Sequence, residues 1–112
     1  MKYFIVRYLH TDFAGWKEYL IPHLQYIQEH LKAGDLLLSG PLQDCPADKK
    51  EAVLVFRVED RDALQAQIEK DPYWTKGLVA DYTVREWNPM FGLLGASADE
   101  IEEGLKHPEN IP

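Results

Sequence analysis

The sequence predicts an α+β fold, an antiparallel sheet with helices on one face, in the order β-α-β-β-α-β. Two runs dense in aromatic and β-branched residues, KYFIVRYLH and EAVLVFRV, read as strands. Two stretches with 3.6-residue apolar periodicity follow strands and precede others. A chain of 112 residues has room for one domain, since domains commonly run ~100–150 residues.

Lys2 to His10 is the first strand, with Phe4, Val6 and Tyr8 on one face and Tyr3, Ile5 and Arg7 on the other. Both faces are largely apolar, which marks a central strand or one with a covered second face. Asp12 to Ala33 is the first helical stretch, with Asp12 as N-cap and Gly34 as stop signal. Trp16, Leu20, His23, Leu24, Ile27 and Leu31 fall on one stripe, with Tyr19, Tyr26 and His30 on its flank. Pro22 either kinks this stretch or starts its main segment. The second reading is preferred and puts His23 in the first turn of that segment. Leu36 to Ser39 is the second strand, closed by Gly40-Pro41, and Gln43 to Lys50 is a polar turn. Glu51 to Val58 is the third strand. Asp60 to Lys70 is the second helix, burying Ala63, Leu64 and Ile68, and Asp71-Pro72 ends it. Tyr73 to Gly77 is a turn, and Val79 to Trp87 alternates as the fourth strand.

This is the ferredoxin-like split βαβ, whose right-handed crossovers put the first and third strands in the middle of the sheet. Helices cover one sheet face only. The other is too apolar for a monomer, so a homodimer packed sheet to sheet is expected. Residues 1–90 form the domain and 91–112 a C-terminal extension. In the extension Ser97-Ala98-Asp99-Glu100 fits a capping box that opens a short acidic helix through Leu105. That helix reads as a surface element packing on its own domain or on a partner, where it leaves a higher oligomer open.

Nineteen acidic residues against 12 basic give a net charge of −7. That excludes a general nucleic-acid binder and docking on an anionic membrane surface. The single cysteine, Cys45, allows no intrachain disulfide and fits a reducing compartment, so a cytoplasmic location is expected. The start MKYFIVRYLHTD reads as a strand rather than a signal peptide, and no apolar run approaches the ~20 residues of a membrane span.

The topology brings three features to one rim of the sheet: Pro22-His23, Ser39-Gly40-Pro41 and Asp71-Pro72-Tyr73-Trp74. Convergence there predicts a pocket. His23 is the acid/base candidate, because imidazole takes and returns protons near neutral pH. Asp71 would accept a hydrogen bond from its ring, Ser39 would hold a substrate oxygen, and Tyr73 and Trp74 would line the pocket. Each residue also has an ordinary structural reading. His23 and His10 would pack at the rim, Asp71 would cap the next turn with Pro72 at its first position, Ser39-Gly40-Pro41 would end a strand, and Tyr73 and Trp74 would be core aromatics. A metal site from His23, His10 and Asp12 has no ligand spacing behind it, and Cys45 has no CxxC partner. No metal is predicted.

Pro22-His23-Leu24, then Leu31-Lys-Ala-Gly34-Asp-Leu-Leu-Leu-Ser39-Gly40-Pro41-Leu42, then Asp71-Pro72-Tyr73 with Gly77-Leu78 resemble the YciI-like (YCII-related) family over roughly residues 1–90. The resemblance implies a dimeric α+β barrel and a His–Asp active site that maps onto His23 and Asp71. It also matches Ser39 to the small residue before Gly-Pro. Members often carry Arg before the Pro-His pair, where this chain has Ile21. Two function readings follow. One is a cofactor-independent enzyme performing proton transfer or elimination on a small cyclic or aromatic oxygenated metabolite. The other is a non-catalytic small-ligand-binding or structural dimer module.

Overall fold

A computed structural model describes residues 1–110. The elements are β1 (Lys2–His10), α1 (Phe13–Glu18), α2 (Leu20–Ala33), β2 (Leu36–Pro41), β3 (Lys50–Val58), α3 (Arg61–Ile68), α4 (Pro72–Thr75), β4 (Asp81–Trp87) and α5 (Ala98–Lys106), followed by a 3₁₀ turn at Pro108–Asn110. The sheet order is β2-β3-β1-β4, every neighbouring pair is antiparallel, and β1 and β3 are central. The expected α+β topology is therefore the observed one.

Register separates the two faces. Phe4 faces Phe56, and Val6 faces Leu54 and Val84 across the strands. With Tyr8, Leu36 and Val58 these residues pack on Leu64 and Ile68 of α3 to form the core. The alternate set, with Ile5 opposite Val55 and Arg7 opposite Val53, forms the uncovered face. Leu38 and Trp87 on that face are 57% and 41% exposed. An ion pair at 2.9 Å between Arg7 and Glu51 rims it.

The first helical stretch does break, but at Tyr19 rather than at Pro22. In a continuous helix the Pro22 ring would collide with the carbonyl of Glu18, four residues back. Chain α1 accordingly ends at Glu18, and Pro22 sits in the first turn of α2, where its missing N–H loses no intrahelical bond. His23 donates the backbone bond to Tyr19 O, at 3.1 Å, that closes this turn. Asp12 caps α1 by accepting from Gly15 N–H, and Gly34 ends α2 at φ 86°, a conformation glycine reaches without strain.

The predicted apolar stripe of α2 is not its buried face. Leu24 and Leu31 are about half exposed, whereas Tyr26 and His30 from the flank are buried. Both carry their polar atoms to partners. The Tyr26 hydroxyl donates to Gln67 O at 2.8 Å, and His30 Nδ1 donates to the Asp35 carboxylate at 3.0 Å. Other boundaries move by a few residues. Strand β2 continues through Pro41, tolerated at the end of an edge strand, and β4 begins at Asp81. The predicted turn after Asp71 is a short helix, α4. In the extension, Ser97 and Glu100 form the capping box that opens α5. Ile111 and Pro112 lie outside the described residues. No helix among the described residues is long and apolar enough to cross a membrane.

Candidate active site

A cavity of about 640 Å³ opens where β1 ends, between α1, α2 and the connection from β2 to β3. This size is usual for a small-molecule site. Its walls come from Tyr8 and His10 of β1, Phe13 and Trp16 of α1, Leu20, His23, Leu24 and Ile27 of α2, and Ser39 to Leu42 of β2 and beyond. Tyr73 closes one side, and Gln43, Cys45 to Ala47 and Lys49 to Ala52 the other. Much of the apolar stripe thus faces the cavity.

His23 lies 2.9 Å from Asp71 Oδ1 and 3.1 Å from Oδ2 through its Nδ1. Asp71 is fully buried, and the His23 side chain is 15% exposed. The carboxylate accepts, so Nδ1 carries a proton, and in the neutral ring the lone pair is then on Nε2. Asp71 Oδ1 also accepts from Tyr73 N–H at 2.9 Å, capping α4, with Pro72 at that helix's start. The cap and the contact with His23 therefore coexist in one carboxylate, and the cap holds the group that meets the imidazole.

Tyr73 stacks on the His23 ring, centroids 4.0 Å apart and planes 9° from parallel. Its hydroxyl donates to Trp16 O at 2.8 Å, which anchors the far end of the Tyr73 ring. Burial, then the Asp71 carboxylate, push that hydroxyl up to about 12, so it remains a donor. His10 is buried behind this stack and donates from Nδ1 to Leu78 O at 2.7 Å. Burial lowers its pKa, against the opposing pull of that bond. The Tyr8 hydroxyl is buried with no hydrogen-bond partner among the described residues. Burial, and next the Asp71 charge, push its pKa upward.

Of the residues singled out from sequence, His23, Ser39, Gly40, Pro41 and Tyr73 meet at the cavity, with Asp71 directly behind His23. Trp74 does not. It packs against the core and meets the Tyr82 ring edge-on at 4.9 Å. The reason is helical: consecutive residues of α4 point about 100° apart, so Tyr73 and Trp74 cannot share one pocket. Asp12 is used in capping α1, and no group of three or more metal-ligating side chains occurs among the described residues. The sequence reading missed Phe13, Tyr8 and the connection after β2 as cavity walls. Its one available signal was length, because a connection this long between antiparallel strands exceeds a tight hairpin turn.

A four-stranded antiparallel sheet with helices on one face and a cavity beside the end of its first central strand defines a ferredoxin-like α+β domain. The YCII-related domain matches residues 1–88, and the chain belongs to that family. Among solved structures it resembles the 5-chloro-2-hydroxyhydroquinone dehydrochlorinase TftG of Burkholderia phenoliruptrix AC1100, in complex with 2,5-dihydroxybenzoquinone. That match has a TM-score of 0.66 and 22% identity, and covers 84% of this chain and 99% of TftG. MupZ from Pseudomonas fluorescens aligns at a TM-score of 0.48 and 12% identity, over 96% of this chain and 80% of MupZ. No curated protein sequence matches significantly.

Proposed function

We propose that the protein is a cofactor-independent enzyme that moves a proton on, or eliminates a group from, a small cyclic or aromatic oxygenated compound. The observation that carries this reading is the His23–Asp71 contact at 2.9 Å on the wall of a cavity about 640 Å³ in volume. In this reading His23 Nε2 takes a proton from the substrate, and the Asp71 carboxylate stabilises the imidazolium that forms. The same proton then returns to another substrate atom or to the departing group. Ser39, beside Gly40 and Pro41 on the facing wall, holds a substrate oxygen. Tyr73 is a positioning residue: its stack and its bond to Trp16 O keep the imidazole in register.

His30 and Asp35 make the same kind of pair at 3.0 Å but line no part of the cavity, and they tie the end of α2 to the start of β2. A His–Asp contact alone is therefore insufficient for this assignment, and the cavity is the distinguishing feature. The working unit in this proposal is a homodimer joined through the uncovered sheet face around Ile5, Val55, Leu38 and Trp87.

The test is turnover of cyclic lactones and hydroxyquinones by wild type and by His23→Ala. TftG, which shares the fold and is named for a hydroxyhydroquinone reaction, guides that choice. Loss of about 10²–10⁴-fold is expected on removing a general base. Equal turnover by a folded His23→Ala protein would remove His23 from the mechanism. Binding without turnover by wild type would favour the non-catalytic module.

A further inference from the structure

Charge at the cavity mouth points to the substrate's own charge. Lys50, the first residue of β3, pairs in register with His10 and lines the cavity. Its ammonium sits 4.7 Å from the centroid of Trp16 and 5.0 Å from that of Phe13. No carboxylate forms an ion pair with it among the described residues. The carboxylate on this side, Glu51, is held by Arg7 at 2.9 Å. In a chain of net charge −7, a half-buried cation over two rings, with its one acidic neighbour in the cavity wall already paired to Arg7, stands apart from the rest of the surface.

The two rings restrain the ammonium through its charge, using their π faces, and leave its N–H donors available. A flexible lysine ordinarily loses side-chain entropy when it binds an anion, and prior restraint reduces that loss. Within the same cavity His23 supplies a lone pair and Ser39 a hydroxyl, both suited to the other end of a ring. We propose that Lys50 is a specificity-determining residue for a ring that bears an ionised oxygen, which the ammonium pairs while the ring lies against Trp16 and Phe13. This deepens the reading of the His23 cavity as a substrate site and rests on it.

The test uses two probes of nearly equal shape, 2,5-dihydroxybenzoate and 2,5-dihydroxybenzamide, titrated by calorimetry into the full chain. Wild type is expected to prefer the anion, and Lys50→Met to weaken anion binding by about tenfold, as for a charge-assisted contact partly open to water. Binding of the amide should weaken less than that of the anion in Lys50→Met, and Lys50→Arg should restore the anion preference. Equal affinity for both probes in wild type, no binding of either, or an unaltered preference in folded Lys50→Met would overturn the inference. Turnover separates the two readings. Anion preference that depends on Lys50, with no turnover of any ring compound, upholds the Lys50 site and removes the catalytic role. His23-dependent turnover that ignores substrate charge does the reverse.

Discussion

Replacing Asp71 by Asn tests the centre of the proposed mechanism while sparing the fold. In wild type the carboxylate receives His23 Nδ1 at 2.9 and 3.1 Å and Tyr73 N–H at 2.9 Å. Asparagine caps helices about as well as aspartate, so its oxygen stays on Tyr73 N–H. Its NH₂ group then takes the place of Oδ2, 3.1 Å from Nδ1, and puts a donor beside the retained, now uncharged, oxygen. The ring answers by moving its proton to Nε2, which leaves no lone pair toward the cavity. A hydrogen bond to a charged group contributes ~1.5–3 kcal/mol and a neutral one ~0.5–1.5, so the change removes ~1–1.5 kcal/mol of preference for Nδ1–H. That is about tenfold in the tautomer ratio, even before the new donor is counted. Nitrogen-15 imidazole spectra read the tautomer directly, and turnover should fall by about 10²–10⁴-fold beside it. Asp71→Ala is the contrasting variant. It loses the cap, about 1 kcal/mol, and leaves a buried ring N–H unpaired, about 1–3 kcal/mol more, so Tm falls on the order of 10 °C. A folded Asp71→Asn protein whose His23 keeps the proton on Nδ1 would refute the orienting role of Asp71.

Tyr8→Phe removes a buried hydroxyl that has no partner among the described residues, so the variant should be more stable by about 1 kcal/mol in denaturant melts; a loss of stability would show that the hydroxyl is satisfied in solution. Burial lowers the His10 pKa, so the unfolded chain takes up the proton first as pH falls below its ordinary ~6.5. Stability present above that pH is lost below it, by at most ~1.4 kcal/mol per pH unit for this group. The Tm gap between wild type and His10→Gln should therefore narrow from pH 7.5 to pH 5, and a constant gap would contradict it. Ile5→Asp places an unpaired carboxylate at the centre of the uncovered sheet face, opposite Val55, and should convert a dimer to monomer in light scattering; a wild type that is already monomeric would sink the sheet-to-sheet dimer.

Elements with strong local signals were legible. Strands β1 and β3 are dense in β-branched and aromatic residues, and Asp12, Gly34, Asp60 and Ser97 act as the caps and stop that their residue types suggest. Pro22 correctly signalled a break but not its place, because its clash acts on a carbonyl one turn earlier. The α2 stripe was legible as apolar, but what it faces was not. Periodicity reports which side of a helix is apolar, and a cavity lined by Leu20, Leu24 and Ile27 produces the same pattern as a core. Trp74 was grouped with Tyr73 because neighbours in sequence look like neighbours in space until a helical turn separates them.

By itself the sequence determined the α+β order, the central pair of strands and the rim on which His23, Ser39 and Asp71 gather. Alternation, caps and crossover handedness are local or topological constraints, and they act through chain order. Only the tertiary structure decided that His23 and Asp71, 48 residues apart, stand within hydrogen-bond reach, that Tyr73 locks the imidazole and that Lys50 lies over Trp16. Those facts depend on side-chain directions across separate elements, set to within an ångström by packing, and no pattern along the chain carries that information.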